Sequence, residues 1–284
     1  MTLPSQEPQP ERNRVVVLRR RADDRLDWLC ESIARNRLLP VPAAERQFVG
    51  DGDFRAIGAE FLRHFVRLGG LRPDHSVLEI GCGIGRMALP LTQYLEGSYD
   101  GVDVVEDGIR WCAETLTPAY PAFRFHHLDA ANGVYNPAGR LDPARVTLPF
   151  ADGAFDFVIL TSVVTHLRRA ETERYIAEIA RLMRPGGRCF LSLFLVDETA
   201  RAGLRAGTAR PAFPADAAGP ELLADPEAPH GAVAYDEDYL LGGFAAHGLR
   251  PARPVAHGHW SGARTAENFQ DLLVLVRDGA EASQ

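Results

Sequence analysis

The stretch VLEIGCGIGR, residues 77–86, places Gly81, Gly83 and Gly85 directly behind an apolar run interrupted only by Glu79. That order reads as a buried strand that ends in a tight turn into a helix. Glycine permits the sharp turn and lets a ligand approach the backbone with no Cβ in the way. By itself the glycine pattern is a weak signal, since a bare strand-to-helix turn produces it too. Asp103 strengthens it by ending the next apolar run, YDGVDV, where a carboxylate can accept hydrogen bonds from both hydroxyls of a ribose. Two nucleoside cofactors suit such a site, a nicotinamide dinucleotide and S-adenosylmethionine. A pyrophosphate is disfavoured by the acid at the head of the turn and by Arg86 where a third close glycine is common. An ammonium and a sulfonium favour a carboxylate and exposed backbone carbonyls.

The elements that would position these groups alternate. Strands are expected at 76–80, 99–104, 122–129, 154–162 and 188–196, and helices at 86–95, 106–116 and 170–183. Alternation at this spacing predicts a doubly wound α/β fold, a mostly parallel sheet with helices on both faces. Ahead of it, residues 1 to about 14 are expected to be mobile. One helix is expected to pack through Leu26, Leu29, Ile33 and Leu38, and a second through Phe54, Ile57, Phe61, Leu62 and Phe65. A helix near 236–248 and strands at 250–260 and 271–277 close the chain. Residues 1–45 thus read as a tail and capping helix, and 46–284 as the main domain. Within that domain, 197–234 has no sustained period, and a stretch of such length is expected to serve as a lid.

With these motifs in order, the chain resembles the class I S-adenosylmethionine-dependent methyltransferases over about residues 50–277. The motifs are VLEIGCGIGR, YDGVDV, HHLDA, FADGAFDFVILTSVVTHL and LMRPGGRCFL. The resemblance implies a Rossmann-like sheet of seven strands in the order 3-2-1-4-5-7-6, with the last strand antiparallel. It implies that Gly81, Cys82, Gly83, Gly85 and Arg86 hold the amino-acid part of the cofactor and Asp103 its ribose. Val104 would face the adenine, Asp129 and Ala130 would meet its edge, and Thr161 would lie at the cofactor wall. Glu79 would fix the turn or reach the ammonium through water. FVGDGDF, GVYNPAGR, TSVVTHL, and WSG with FQDLLVLV look like a bacterial subgroup that often acts on sugars or secondary metabolites. This implies a small-molecule acceptor, methylated at a hydroxyl, and puts Tyr135, Asn136 and Trp260 on the substrate side. N-methylation of an amine or peptide side chain, or cofactor binding without catalysis, are the alternatives.

A hydroxyl nucleophile has to lose a proton, and His166, shortly after the fourth strand, is the candidate base. A helix-start histidine bonded to local backbone is the competing interpretation. His126 and His127 alternate along the third strand, so one should point into packing and one outward. His257 and His259 would share a strand face, but no third ligand is near in sequence, and the fourth strand ends in Thr161 and Ser162 without clustered carboxylates. No metal is expected. The Asp/Asn-Pro-Pro-aromatic element of base-methylating enzymes is missing there, and Tyr135-Asn136-Pro137 follows the wrong strand; an ordinary Asn-Pro turn would explain it equally.

The net charge of −7, from 31 Lys+Arg against 38 Asp+Glu, argues against sequence-independent binding to nucleic acid or an anionic membrane. LRRR at 18–21 reads as solvated surface. Cys30, Cys82, Cys112 and Cys189 lack Cys-x-x-Cys spacing, MTLPSQEPQPERNR has no apolar core of a signal peptide, and no run reaches the roughly 18–20 apolar residues a bilayer requires. A cytoplasmic protein with reduced thiols is expected. Nothing in the sequence bears on oligomeric state.

Overall fold

The computed structural model describes residues 12–279 apart from 49, 51 and 218. The expected mobile stretch falls outside the described residues up to 11. Arg12 to Arg14 open a long helix, α1 (Arg12–Arg35).

Strand β1 (Val77–Ile80) is buried at every position, Glu79 included, because it has a parallel neighbour on each side and a helical layer on each face. Those neighbours are β2 (Tyr99–Asp103) and β4 (Phe155–Thr161), flanked in turn by β3 (Phe123–His127) and β5 (Met183–Leu193). Beyond β5 lie β10 (Asp271–Arg277), antiparallel to it, and the short β9 (Leu249–Pro251), giving the order β3-β2-β1-β4-β5-β10-β9. With the small sheet described below set apart, this is the order implied by the resemblance. Successive residues of β4 feed opposite layers. Val158 and Leu160 pack with α5 (Arg169–Leu182) and α7 (Glu237–Ala245). Phe157 and Ile159 pack on the side of α1 and α2 (Phe54–Arg67), and α4 (Glu106–Thr115) follows β2.

Four expectations are corrected. Leu38 is 93% exposed and Leu39 is buried instead, because α1 stops at Arg35 and a turn on Asn36 shifts the inward position by one residue. The helix expected at 86–95 shrinks to α3 (Ala88–Leu91), since Pro90 has no N–H for the Arg86 carbonyl. Gly58 of α2 packs against this spot, where a Cβ would lie 2.5 Å from the Arg86 oxygen. The strand expected at 188–196 leaves the main sheet at Phe194, where buried Asp271 accepts the Leu195 N–H at 2.7 Å. Of the strand expected at 250–260 only Arg250 and Pro251 are kept, in β9; Pro251 and Pro254 cannot donate to a ladder.

Residues 197–234 and their flanks have structure that their composition conceals. They contain α6 (Glu198–Ala206), capped by Asp197, and contribute to a small sheet of β6 (Leu195–Val196), β7 (Glu221–Leu223) and β8 (Val233–Asp236), ordered β6-β8-β7. Phe194, Leu204, Phe213, Leu222 and Trp260 form a separate core beneath them. Among the described residues, no helix is long and apolar enough to cross a membrane.

Candidate cofactor and acceptor site

A cavity of about 540 Å³ opens beyond the carboxyl ends of β1, β2 and β4, the place where open α/β sheets bind ligands. At its head Glu79, 1% exposed, accepts a hydrogen bond from Tyr99 Oη, whose ring stacks on Phe123 at 4.9 Å. Burial pushes the Glu79 carboxyl up to about 8; the Tyr99 hydroxyl and the Arg86 charge oppose this, and the neighbouring Asp103 adds to it. At neutral pH the protonated carboxyl is therefore favoured, and a cation beside it would favour the carboxylate. Between pH 4.5 and 8 the unfolded chain ionises Glu79 while the folded chain does not, so stability falls as pH rises through that window. Glu79→Gln is expected to make that fall shallower in urea midpoints measured from pH 5 to 8. An unchanged slope would show that Glu79 ionises normally.

The turn after β1 depends on two close approaches. Gly81 has φ +78°, and a Cβ there would stand 2.3 Å from Val163 Cγ2 in the loop after β4. Gly83 donates its N–H to Asp103 Oδ2 at 2.7 Å, while Asp103 Oδ1 accepts from Val105 N at 2.8 Å. Burial raises the Asp103 pKa, and the backbone N–H groups of Val105, Gly83 and Val104 pull it back. Arg86 reaches the Gly50 carbonyl at 3.4 Å through Nη1, but its buried Nε has no partner. An orphaned donor on the wall of a cavity suits an anionic or carbonyl ligand oxygen. Cys82, whose thiol burial pushes well up, Val104, Ala130 and Thr161 also line the cavity.

His166 lies across the cavity in the loop after β4. Its Nδ1 is 2.8 Å from the His230 carbonyl, which can only accept, so Nδ1 carries the proton and Nε2 keeps a lone pair. Tyr135 Oη lies 3.3 Å from that Nε2, the two rings edge-on with centroids 5.1 Å apart. Burial lowers the His166 pKa, against a smaller raising effect of the His230 carbonyl. Asn132 sets the Tyr135 loop: its Oδ1 accepts from Val134 N and Tyr135 N, and its Nδ2 donates to the His166 carbonyl at 3.1 Å. The Asn132-Gly133 pair was a readable turn signal. His230 was not readable; it is 64 residues from His166 and is held by Glu171 at 3.1 Å.

Four residues expected at the site do not line the cavity. Gly85 is needed for packing, as a Cβ there would meet Cys112 Sγ at 2.8 Å. Asp129 pairs with Arg140 and accepts from Asn136, so both side chains make contacts within their own loop. Trp260 is 1% exposed, packs on Phe194 and Phe213, and donates Nε1–H to Asp271 at 2.8 Å. The other histidines also lie off the cavity. His126 meets Asp100 at 2.8 Å and His127 is exposed. His257 contacts Glu237 at 2.7 Å and neighbours Asp197 rather than sharing a strand with His259, and the Arg264 guanidinium already sits on Asp197.

Residues 78–191 match the sequence profile of a family described as a methyltransferase domain. This segment is similar to that family. The chain is 35% identical over 123 residues to phthiotriol/phenolphthiotriol dimycocerosates methyltransferase of Mycobacterium tuberculosis, 43% of this chain and 37% of that protein. The chain spans half or less of the length of such curated relatives. Among solved structures, the fold resembles 1,6-didemethyltoxoflavin-N1-methyltransferase of Burkholderia thailandensis, described with 1,6-didemethyltoxoflavin and S-adenosylhomocysteine bound. The TM-score is 0.50, with 18% identity and coverage of 97% of this chain and 94% of that one. It also resembles the [4+2]-cyclase SpnF, with a TM-score of 0.53, 17% identity and coverage of 90% and 94%. At these identities the likeness concerns the fold, and this fold evidently carries more than one chemistry.

Proposed function

We propose that the protein is an S-adenosylmethionine-dependent methyltransferase acting on a hydroxyl of a small molecule. The observation that carries this reading is the charge pattern at the head of the cavity. Buried Glu79 with no full countercharge suits an ammonium, the orphaned Arg86 Nε suits a carboxylate, and Asp103 between two backbone donors suits a ribose. A dinucleotide pyrophosphate would instead face the Asp103 carboxylate and offer Glu79 no cation. Val104, Leu128 and Ala130 give the adenine an apolar wall.

When bound, S-adenosylmethionine supplies an electrophilic methyl carbon. The chain's own residues orient the acceptor and receive its proton. His166 is neutral and fixed in the Nδ1–H tautomer, so Nε2 accepts the proton as the acceptor hydroxyl takes the place now held by Tyr135 Oη. Pro211, Gly231 and Ala232 of the 197–234 segment stand on the cavity wall, and the His230 carbonyl anchors His166. We assign this segment a lid role that excludes water. The four buried free cysteines suit a reducing compartment, in keeping with a cytoplasmic enzyme.

Isothermal titration tests the cofactor assignment. Saturable binding of S-adenosylmethionine and S-adenosylhomocysteine is expected. Indifference to both, with binding of a nicotinamide coenzyme, would contradict it.

A further inference from the structure

The cavity wall follows the strand order, so its two halves differ in chemistry. The half beside β3, β2 and β1 holds its carboxylates and its arginine: Glu79, Asp103 and Arg86. The half beyond β4 and β5 has Ser162, Val163, Thr165, His166, Phe194, Ala232 and Gln270, with Phe61, packed on Phe190 of β5, contributed from the N-terminal side. Among the described residues, no Asp, Glu, Lys or Arg lines that second half.

Its polar groups are few and already oriented. Gln270, immediately before β10, accepts through Oε1 from Ser162 Oγ at 2.9 Å and from Ser192 Oγ at 2.7 Å. Ser192 Oγ in turn accepts the Ser162 N–H at 3.0 Å. Ser162 is the one non-glycine among the described residues at positive φ, +58°. Such backbone strain is kept where the surroundings over-determine it and is concentrated at functional sites. The amide stands with its oxygen turned to the two serines. The two Nε2 hydrogens then have no protein partner among the described residues, on a side chain that lines the cavity.

We propose that Gln270 is a specificity-determining residue that donates through Nε2 to a carbonyl-type oxygen of the acceptor. The acceptor is accordingly a neutral, largely apolar hydroxy-carbonyl compound, with its hydroxyl at His166 and its carbonyl at Gln270. This rests on the methyltransferase reading and narrows it. A sugar would place hydroxyls against Phe61 and Phe194, whose rings offer them no hydrogen-bond acceptor or donor of ordinary strength, and every unpaired hydroxyl costs binding. A protonated amine would find no carboxylate in this half of the cavity.

The test compares 7-hydroxy-1-tetralone, whose hydroxyl is meta to the ketone and not conjugated with it, its carbonyl-free counterpart 5,6,7,8-tetrahydro-2-naphthol, and methyl α-glucoside, following S-adenosylhomocysteine formation. The ketone is expected to exceed the carbonyl-free phenol in kcat/KM by about 10-fold, the worth of one well-placed hydrogen bond, and the glucoside is expected not to react. Gln270→Glu keeps an oxygen for Ser162 and Ser192 but removes both N–H donors, so the ratio should fall to about 1. Calorimetric S-adenosylmethionine binding by the variant reports that the fold is intact. Reaction of the glucoside, a ratio that survives in Gln270→Glu, or cofactor binding without methylation of either phenol would overturn the inference. Failure to bind the cofactor would overturn the methyltransferase reading as well.

Discussion

Replacing His166 with alanine is expected to lower kcat by about 10²- to 10⁴-fold while S-adenosylmethionine affinity changes little, as befits loss of a positioned base. The geometry gives the reason. The His230 carbonyl forces the proton onto Nδ1, and burial lowers the imidazole pKa below its usual 6.5, so Nε2 is free to accept a proton at neutral pH. In the native protein kcat/KM should rise with pH as His166 loses its proton and level off, with the midpoint of the acid limb below 6.5. In the alanine variant that limb should disappear. A variant that keeps both the rate and the limb would show that another group takes the proton.

The second large effect concerns the cofactor. Asp103→Ala should weaken S-adenosylmethionine binding by at least about 100-fold, because two charge-assisted hydrogen bonds to the ribose are lost together. The same change strips the Gly83 and Val105 N–H groups of their acceptor, so the turn after β1 loses its brace. Calorimetry of the purified variant measures this, with thermal unfolding as a control for folding. Equal affinity in the variant would remove Asp103 from the site.

What could be read from the sequence was what neighbours in the chain decide. The apolar run before Gly81, the acid ending β2 and the uninterrupted DLLVLV of β10 are local patterns, and the strands stand where those patterns put them. Local patterns failed where one residue's chemistry intervened. Pro90 cut a helix to one turn, and the turn on Asn36 exchanged Leu38 for Leu39. Asp129 looked free to meet an adenine edge because the sequence does not show Arg140 folding back onto it. Trp260 is held by Asp271 and two phenylalanines, contacts set by how the small sheet packs. The acceptor half was the least legible part. His230 meets His166 across 64 residues and Gln270 meets Ser162 across 108, and separations of that size leave no periodicity behind.

The cofactor assignment at the turn after β1 is tested most directly by a crystal structure of the protein with S-adenosylhomocysteine. The expected result has both ribose hydroxyls on the Asp103 carboxylate, the ligand carboxylate at Arg86 Nε, and the sulfur facing His166 across the cavity. A ligand that leaves Asp103 without a ribose contact, or a preference for a dinucleotide with its pyrophosphate over Gly81 and Gly83, would contradict it.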